Sequence, residues 1–128
     1  ADLLSPMNKI LTQLFDQYQN KYWMVQSLPK ILSGEAKFHH VKPGGGYHQW
    51  HCEQEGGYSV NRVLAWHLSL NTLDKDDDGS LEFLNFNTKI KPEAGQVAIW
   101  PAFFTHGHRG NMTRLGDKYY LTGWFCYA

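Results

Sequence analysis

Arg62-Val-Leu-Ala-Trp-His-Leu-Ser-Leu-Asn71 is the stretch that decides the fold. Strand side chains alternate between faces, so Val63, Ala65, His67 and Ser69 share one side while Leu64, Trp66, Leu68 and Leu70 share the other. Shorter β-leaning runs flank it. Phe38 to Lys42 ends at Pro43 and Gly44-Gly45-Gly46, and Tyr47 to Glu53 is aromatic and His-rich until Gly56-Gly57. Leu81 to Phe86, Gln96 to Trp100 and Lys118 to Tyr127 follow, separated by turn-forming residues. Pro101 to Gly116 reads as a long His-bearing loop or irregular strand. Several short strands at even spacing predict a mainly β sandwich or jelly roll.

The first residues differ. Ser5 suits a helix N-cap and Pro6 the first helical position. Met7, Ile10, Leu11, Leu14 and Tyr18 recur at helical spacing, predicting an amphipathic helix whose apolar face packs on a sheet. The 128 residues fit one domain, with 1–36 as helical support and 37–128 as β core. The chain opens on Ala1, which leaves room for residues before it.

Lys and Arg total 12 and Asp and Glu total 12, so the net charge is zero and neither nucleic acid nor an anionic membrane is an expected partner. No apolar run reaches the length of a membrane span. Two cysteines, Cys52 and Cys126, are too few for a disulfide framework, and reduced thiols in the cytoplasm are the expectation.

His51-Cys52-Glu53 starts the chemistry. On a strand, residues i and i+2 point the same way, so an imidazole and a carboxylate can grip one ion together. One more His downstream completes a facial triad with three open positions, the set suited to non-haem Fe(II). His106 and His108 are both placed to supply it. Lys118 lies in an apolar setting among Tyr119, Tyr120, Leu121 and Trp124, where an ammonium can anchor the far carboxylate of a metal-chelating acid. Asp74 to Gly79 matches the first half of a calcium-binding EF-hand loop, but Asn85 stands where the bidentate Glu belongs. An exposed acidic turn with weak calcium affinity is the expectation there. His39 and His40 read as strand surface, and His48 faces away from His51 by strand parity. Trp50, Tyr58, Phe103 and Phe104 are candidates for an apolar mouth.

From Val41 to Phe125 the ordered motifs resemble the Fe(II)/2-oxoglutarate-dependent dioxygenases, in particular the prolyl-4-hydroxylase-like branch. Pro43 to Glu53 looks like the family's Gly-rich turn and His-x-Asp. Arg62 with Leu70-Asn71 looks like its strand ending in Leu-Asn, and Asp78 to Phe83 like its Gly-Gly-x-Leu. Pro92 to Pro101 looks like its Pro-x-x-Gly turn and buried strand. His108-Arg109, Lys118-Tyr119 and Trp124 look like its distal His, anchor and closing Trp. The resemblance implies a double-stranded β-helix (jelly roll) with the N-terminal helix packed on the major sheet. It implies Fe(II), 2-oxoglutarate as cosubstrate, O2, and ascorbate as an accessory reductant. It also implies hydroxylation of an unactivated C–H bond in a small molecule or in a peptide, with a prolyl residue as the target.

By position, His51, Glu53 and His108 are the implied catalytic metal ligands, and Lys118 the 2-oxoglutarate anchor, with Thr122 beside it. Leu81, His67 and Trp124 are the implied pocket lining. Spacing from Pro101 favours His106 as distal ligand. Spacing to Gly116 and Lys118 favours His108, and a hairpin fixes that distance better than a loop does. Glu53 departs from the family's usual Asp, and Lys118 stands where an Arg is common. A carboxylate at this position disfavours a halogenase. The second reading is a non-catalytic cupin-like jelly roll that binds a metal or another ligand, which has no need of Lys118.

Overall fold

In the computed structural model, residues 4–128 are described. One helix, α1 (Leu4–Lys21), precedes a short 3-10 turn (Trp23–Ser27) and seven strands. These are β1 (Ile31–Val41), β2 (Arg62–Ser69), β3 (Leu81–Phe83), β4 (Thr88–Ile90), β5 (Val97–Pro101), β6 (His108–Gly110) and β7 (Lys118–Tyr127). A four-stranded sheet runs β1-β7-β2-β5 and a three-stranded sheet runs β4-β3-β6. Every pairing is antiparallel. An isolated antiparallel bridge between His51 and His108 extends the smaller sheet. This is the expected jelly roll with its helix.

The alternation read in β2 holds. Leu64 and Trp66 face outward and are buried with Leu11 of α1 and Phe125 of β7, with Met7, Phe15 and Tyr18 packed around them. Ala65 faces inward and is buried with Phe83, Trp100 and Trp124 between the sheets. The helix therefore covers the larger sheet and leaves the space between the sheets free for a site. Its buried stripe departs slightly from expectation. Ile10 is exposed, and Phe15 takes a place in the contact instead, its ring 5.0 Å from that of Phe125.

Three boundaries differ from the sequence reading. The helical support does not reach residue 36, because β1 already begins at Ile31. Its first half was hidden from the pattern. Most of its residues are exposed, and its register slips between Ser33 and Ala36, so no apolar alternation marks it. Tyr47 to Glu53 is no strand beyond its single bridge; glycines at positive φ at 44, 46, 56 and 57 flank it and make it a loop. Asp77 in the acidic turn is buried rather than exposed. Its carboxylate accepts backbone N–H bonds from Arg114, Leu115 and Gly116, which fixes the approach to β7. Asp78 accepts from the Ser80 amide and hydroxyl, so two of the acids of the calcium-like turn serve the fold.

Gly123 lies opposite Trp66 in the β2–β7 pairing, and a Cβ there would sit 2.4 Å from the indole. Gly123→Ala should therefore cost about 1–3 kcal/mol through overpacking, read as a lower urea midpoint. An unchanged midpoint would mean that Trp66 moves aside freely.

Candidate active site

A cavity of about 450 Å³ opens between the sheets. Strand β7 supplies one wall, because alternate residues point inward: Lys118, Tyr120, Thr122 and Trp124 all line it. His39 of β1 pairs with Tyr120, and His67 of β2 pairs with Thr122, so both histidines border the same wall. Leu81 lines the cavity from the smaller sheet.

His51, Glu53 and His108 converge at one end, with one ligand atom from each lying within 4.8 Å of the others. His108 Nε2 is 3.0 Å and His51 Nε2 is 3.4 Å from Glu53 Oε1. Each imidazole has its other nitrogen on a carbonyl, His51 Nδ1 with Gln49 O at 2.9 Å and His108 Nδ1 with His106 O at 3.0 Å. A carbonyl oxygen only accepts, so each Nδ1 carries the hydrogen and each Nε2 of a neutral ring presents a lone pair. Two lone pairs then face a carboxylate oxygen, an arrangement that calls for a proton or a cation between them. The donor set, two imidazoles and a carboxylate, fits a divalent transition metal.

Without an ion, the electrostatics describe a proton in that gap. Burial raises the Glu53 pKa, but hydrogen bonds from His108, His51 and Trp124 outweigh it and hold the carboxyl well below its usual range. Burial lowers the His51 pKa, and the bonds to Glu53 and the Gln49 carbonyl more than offset that, so the net direction is up.

Lys118 is 3% exposed and makes one hydrogen bond, donated to Gly79 O at 3.2 Å. Among the described residues no carboxylate pairs with it. Burial lowers its pKa, with Asp78 and Asp77 partly restoring it. A buried ammonium on a cavity wall without a counter-ion is a ready partner for an anion.

Other sequence expectations sort out in space. His106 does not join His51, Glu53 and His108; its ring packs on Phe86 at 4.7 Å, outside the cavity, while its carbonyl steadies His108. His51 and Glu53 meet although the strand parity used to join them does not apply, because the loop itself brings them together. Trp124 does more than line the pocket: its indole N–H donates to Glu53 Oε2 at 2.8 Å. Thr122 Oγ1 is hydrogen-bonded to His39 Nε2 at 2.8 Å. His48 bonds the Gly45 carbonyl, apart from His51, Glu53 and His108. Of the proposed mouth residues, Tyr58 borders the cavity, whereas Phe103 and Phe104 pack on each other elsewhere.

Sequence reasoning missed Tyr120 and His39. His39 and His67 stack on Tyr120 at 4.5 and 4.6 Å, a three-ring layer across three strands. The alternation that pairs Lys118 with Thr122 would have found Tyr120 between them. His39, taken as surface, needed the register with β7.

These features match a known family. The family described as the 2OG-Fe(II) oxygenase superfamily matches residues 36–126. The chain belongs to that superfamily. No curated protein matches it. Among solved structures, the chain is similar to a Pseudomonas putida prolyl-4-hydroxylase, with TM-score 0.76 and 20% identity over 100% of this chain and 69% of that one. It is also similar to a viral collagen prolyl hydroxylase from Paramecium bursaria Chlorella virus-1 in complex with 2OG, with TM-score 0.69 and 19% identity over 91% and 73%. A Trichoplax adhaerens prolyl hydroxylase in complex with a hypoxia inducible factor peptide fragment gives TM-score 0.66 and 19% identity over 77% and 46%. At these identities the likeness establishes the double-stranded β-helix fold. Among the described residues, no helix is long and apolar enough to cross a membrane.

Burial, then Lys118 and His39, push the His67 pKa down from 6.5 to about 4. The unfolded chain binds that proton at higher pH than the folded one, so stability falls as pH drops from about 6.5 to about 4 and levels off below. His67→Gln should lose less of its urea midpoint than the parent chain between about pH 7 and about pH 5. Equal losses would show that His67 is not the group responsible.

Proposed function

We propose that the chain is an Fe(II)- and 2-oxoglutarate-dependent dioxygenase that hydroxylates an unactivated C–H bond. The observation that carries this reading is the unpaired, buried Lys118 ammonium in the same cavity as the His51, Glu53 and His108 group. A simple metal-binding jelly roll has no use for a buried cation there. A cosubstrate with a chelating end and a carboxylate at the other end uses both.

In this reading His51, Glu53 and His108 hold the metal. Their Nδ1 hydrogens stay on the carbonyls of Gln49 and His106, which orients both rings toward the ion. Lys118 receives the far carboxylate of 2-oxoglutarate, adding an ion pair to its bond with Gly79, and Thr122 stands beside it on the strand face. Leu81 and Trp124 close the apolar sides of the pocket and exclude water from it. The metal, when bound, supplies oxygen activation coupled to decarboxylation of the keto acid, with ascorbate as accessory reductant. The protein's own contribution is orientation, desolvation and the protonation states just described.

A prolyl residue in a peptide is the substrate we favour, because the similar structures include prolyl hydroxylases and one is bound to a peptide. Tyr47 and Tyr58, both largely exposed, border the cavity and provide aromatic faces for such a ring. A cytoplasmic setting fits the two free thiols of Cys52 and Cys126.

The test is anaerobic addition of Fe(II) and 2-oxoglutarate. A weak visible charge-transfer band should appear, and air should then produce succinate. Lys118→Ala should raise the 2-oxoglutarate requirement by about 100-fold, the scale of a lost buried ion pair, while still binding metal. His108→Ala should lose metal and activity, whereas His106→Ala keeps both. Bound metal with neither band nor succinate would favour the cupin-like binder.

A further inference from the structure

The two oxygens of Glu53 have different company. Oε1 faces both histidines, at 3.0 and 3.4 Å. Oε2 faces the other way. The Trp124 indole donates to it at 2.8 Å, and Arg62 Nη1 stands 3.9 Å from it. Arg62 is itself fixed. Its Nη1 also donates to the Glu53 backbone carbonyl at 3.0 Å, and its guanidinium lies 3.7 Å over the Trp124 ring. Indole and guanidinium thus form one stacked unit that grips one side of one carboxylate. The side chains of Arg62 and Glu53 are only 15% and 17% exposed, so water competes little for these bonds.

Resting on the metal reading above, we propose that Trp124 and Arg62 are positioning residues that confine Glu53 to one-oxygen ligation. The need follows from coordination arithmetic. Two imidazoles and one carboxylate oxygen fill three places of an octahedron and leave three open. A keto acid that chelates takes two, and one remains for the gas. A carboxylate binding through both oxygens would take a fourth place and leave one too few. Glutamate, with its extra methylene, has more freedom than aspartate to turn its second oxygen toward an ion. The indole donor removes that freedom by occupying Oε2, and Arg62 holds the indole in place by stacking and by charge. The clamp thereby lets this chain use Glu where an Asp is common.

The proposal separates metal binding from keto-acid binding. Trp124→Phe keeps a ring beneath Arg62 and deletes the donor. Co(II) is titrated anaerobically into the full chain, followed by 2-oxoglutarate into the metal-loaded protein. The variant should load Co(II) with affinity lowered by about 10–100-fold, the scale of a lost outer hydrogen-bond partner. At saturating Co(II) its affinity for 2-oxoglutarate should also fall, and the visible cobalt spectrum should change. In a Glu53→Asp background, where the shorter arm moves the carboxylate away from the indole, the same substitution should add little. A Co(II)-loaded Trp124→Phe with parental spectrum and parental 2-oxoglutarate affinity would falsify the clamp. So would effects that add fully in the Glu53→Asp background. Circular dichroism checks folding; if Trp124→Phe does not fold, Arg62→Met, which keeps the indole donor but removes its support, should move the same readouts in the same direction by less, and parental values there would equally overturn the clamp. A parent chain that binds no Co(II) would instead overturn the metal reading itself.

Discussion

The pairing of β7 with both β1 and β2 governs everything functional in this molecule. It joins Val41 to Lys118, His39 to Tyr120, and His67 to Thr122 across the ladders. Strand side chains alternate, so this register sends Lys118, Tyr120, Thr122 and Trp124 into the cavity and Leu121 and Phe125 toward the helix. A slip of one residue would exchange the two sets. The ammonium would then meet the helix-side core and Phe125 would fill the pocket. Trp66 against Gly123 opposes such a slip, because the indole fits only where its partner lacks a side chain.

The second constraint lies on the smaller sheet, where the order is less regular. His108 opens β6, while His51 and Glu53 stand on a loop bounded by glycines. Two backbone bonds between His51 and His108, at 2.8 and 3.1 Å, hold that loop against the strand. Glu53 N donates to Ala102 O at 3.0 Å and ties the loop to the segment after β5. Loop residues can thus be placed as firmly as strand residues when their backbone groups are paired. The strand walls carry the buried Lys118, and the tethered loop carries His51 and Glu53 up to His108 of β6. These two parts meet at Trp124, which belongs to the wall and bonds the loop's carboxylate.

Much of this was legible in the sequence where neighbouring residues act together. Lys118 to Tyr127 is one uninterrupted strand, so its inward set follows from parity. His108 and not His106 joins His51 and Glu53, but the hairpin to Lys118 expected to place it does not form: β6 pairs with β3 in one sheet, and β7 with β1 and β2 in the other. The early start of β1 was not legible, since Ser33 to Lys37 carries a register shift and polar side chains that bury nothing. Asp77 escaped notice for a different reason. Four acids in five residues read as solvated, and only the distant amides of 114–116 single one out for burial. The inward place of His39, the grip of Trp124 on Glu53 and the stack of Arg62 on Trp124 likewise join residues far apart in the chain, and no local pattern encodes them.

The bridge between His51 and His108 has a topological side. It joins the middle of the segment between β1 and β2 to the start of β6, so the chain between them, including β2 to β5, forms one closed circuit. Two hydrogen bonds close that circuit weakly. An ion held by the same two residues would close it more firmly and, binding the folded chain but not the unfolded one, would stabilise the fold by mass action. In the proposed reading such an ion would also be a clasp for the barrel, bracing the cavity that receives the keto acid.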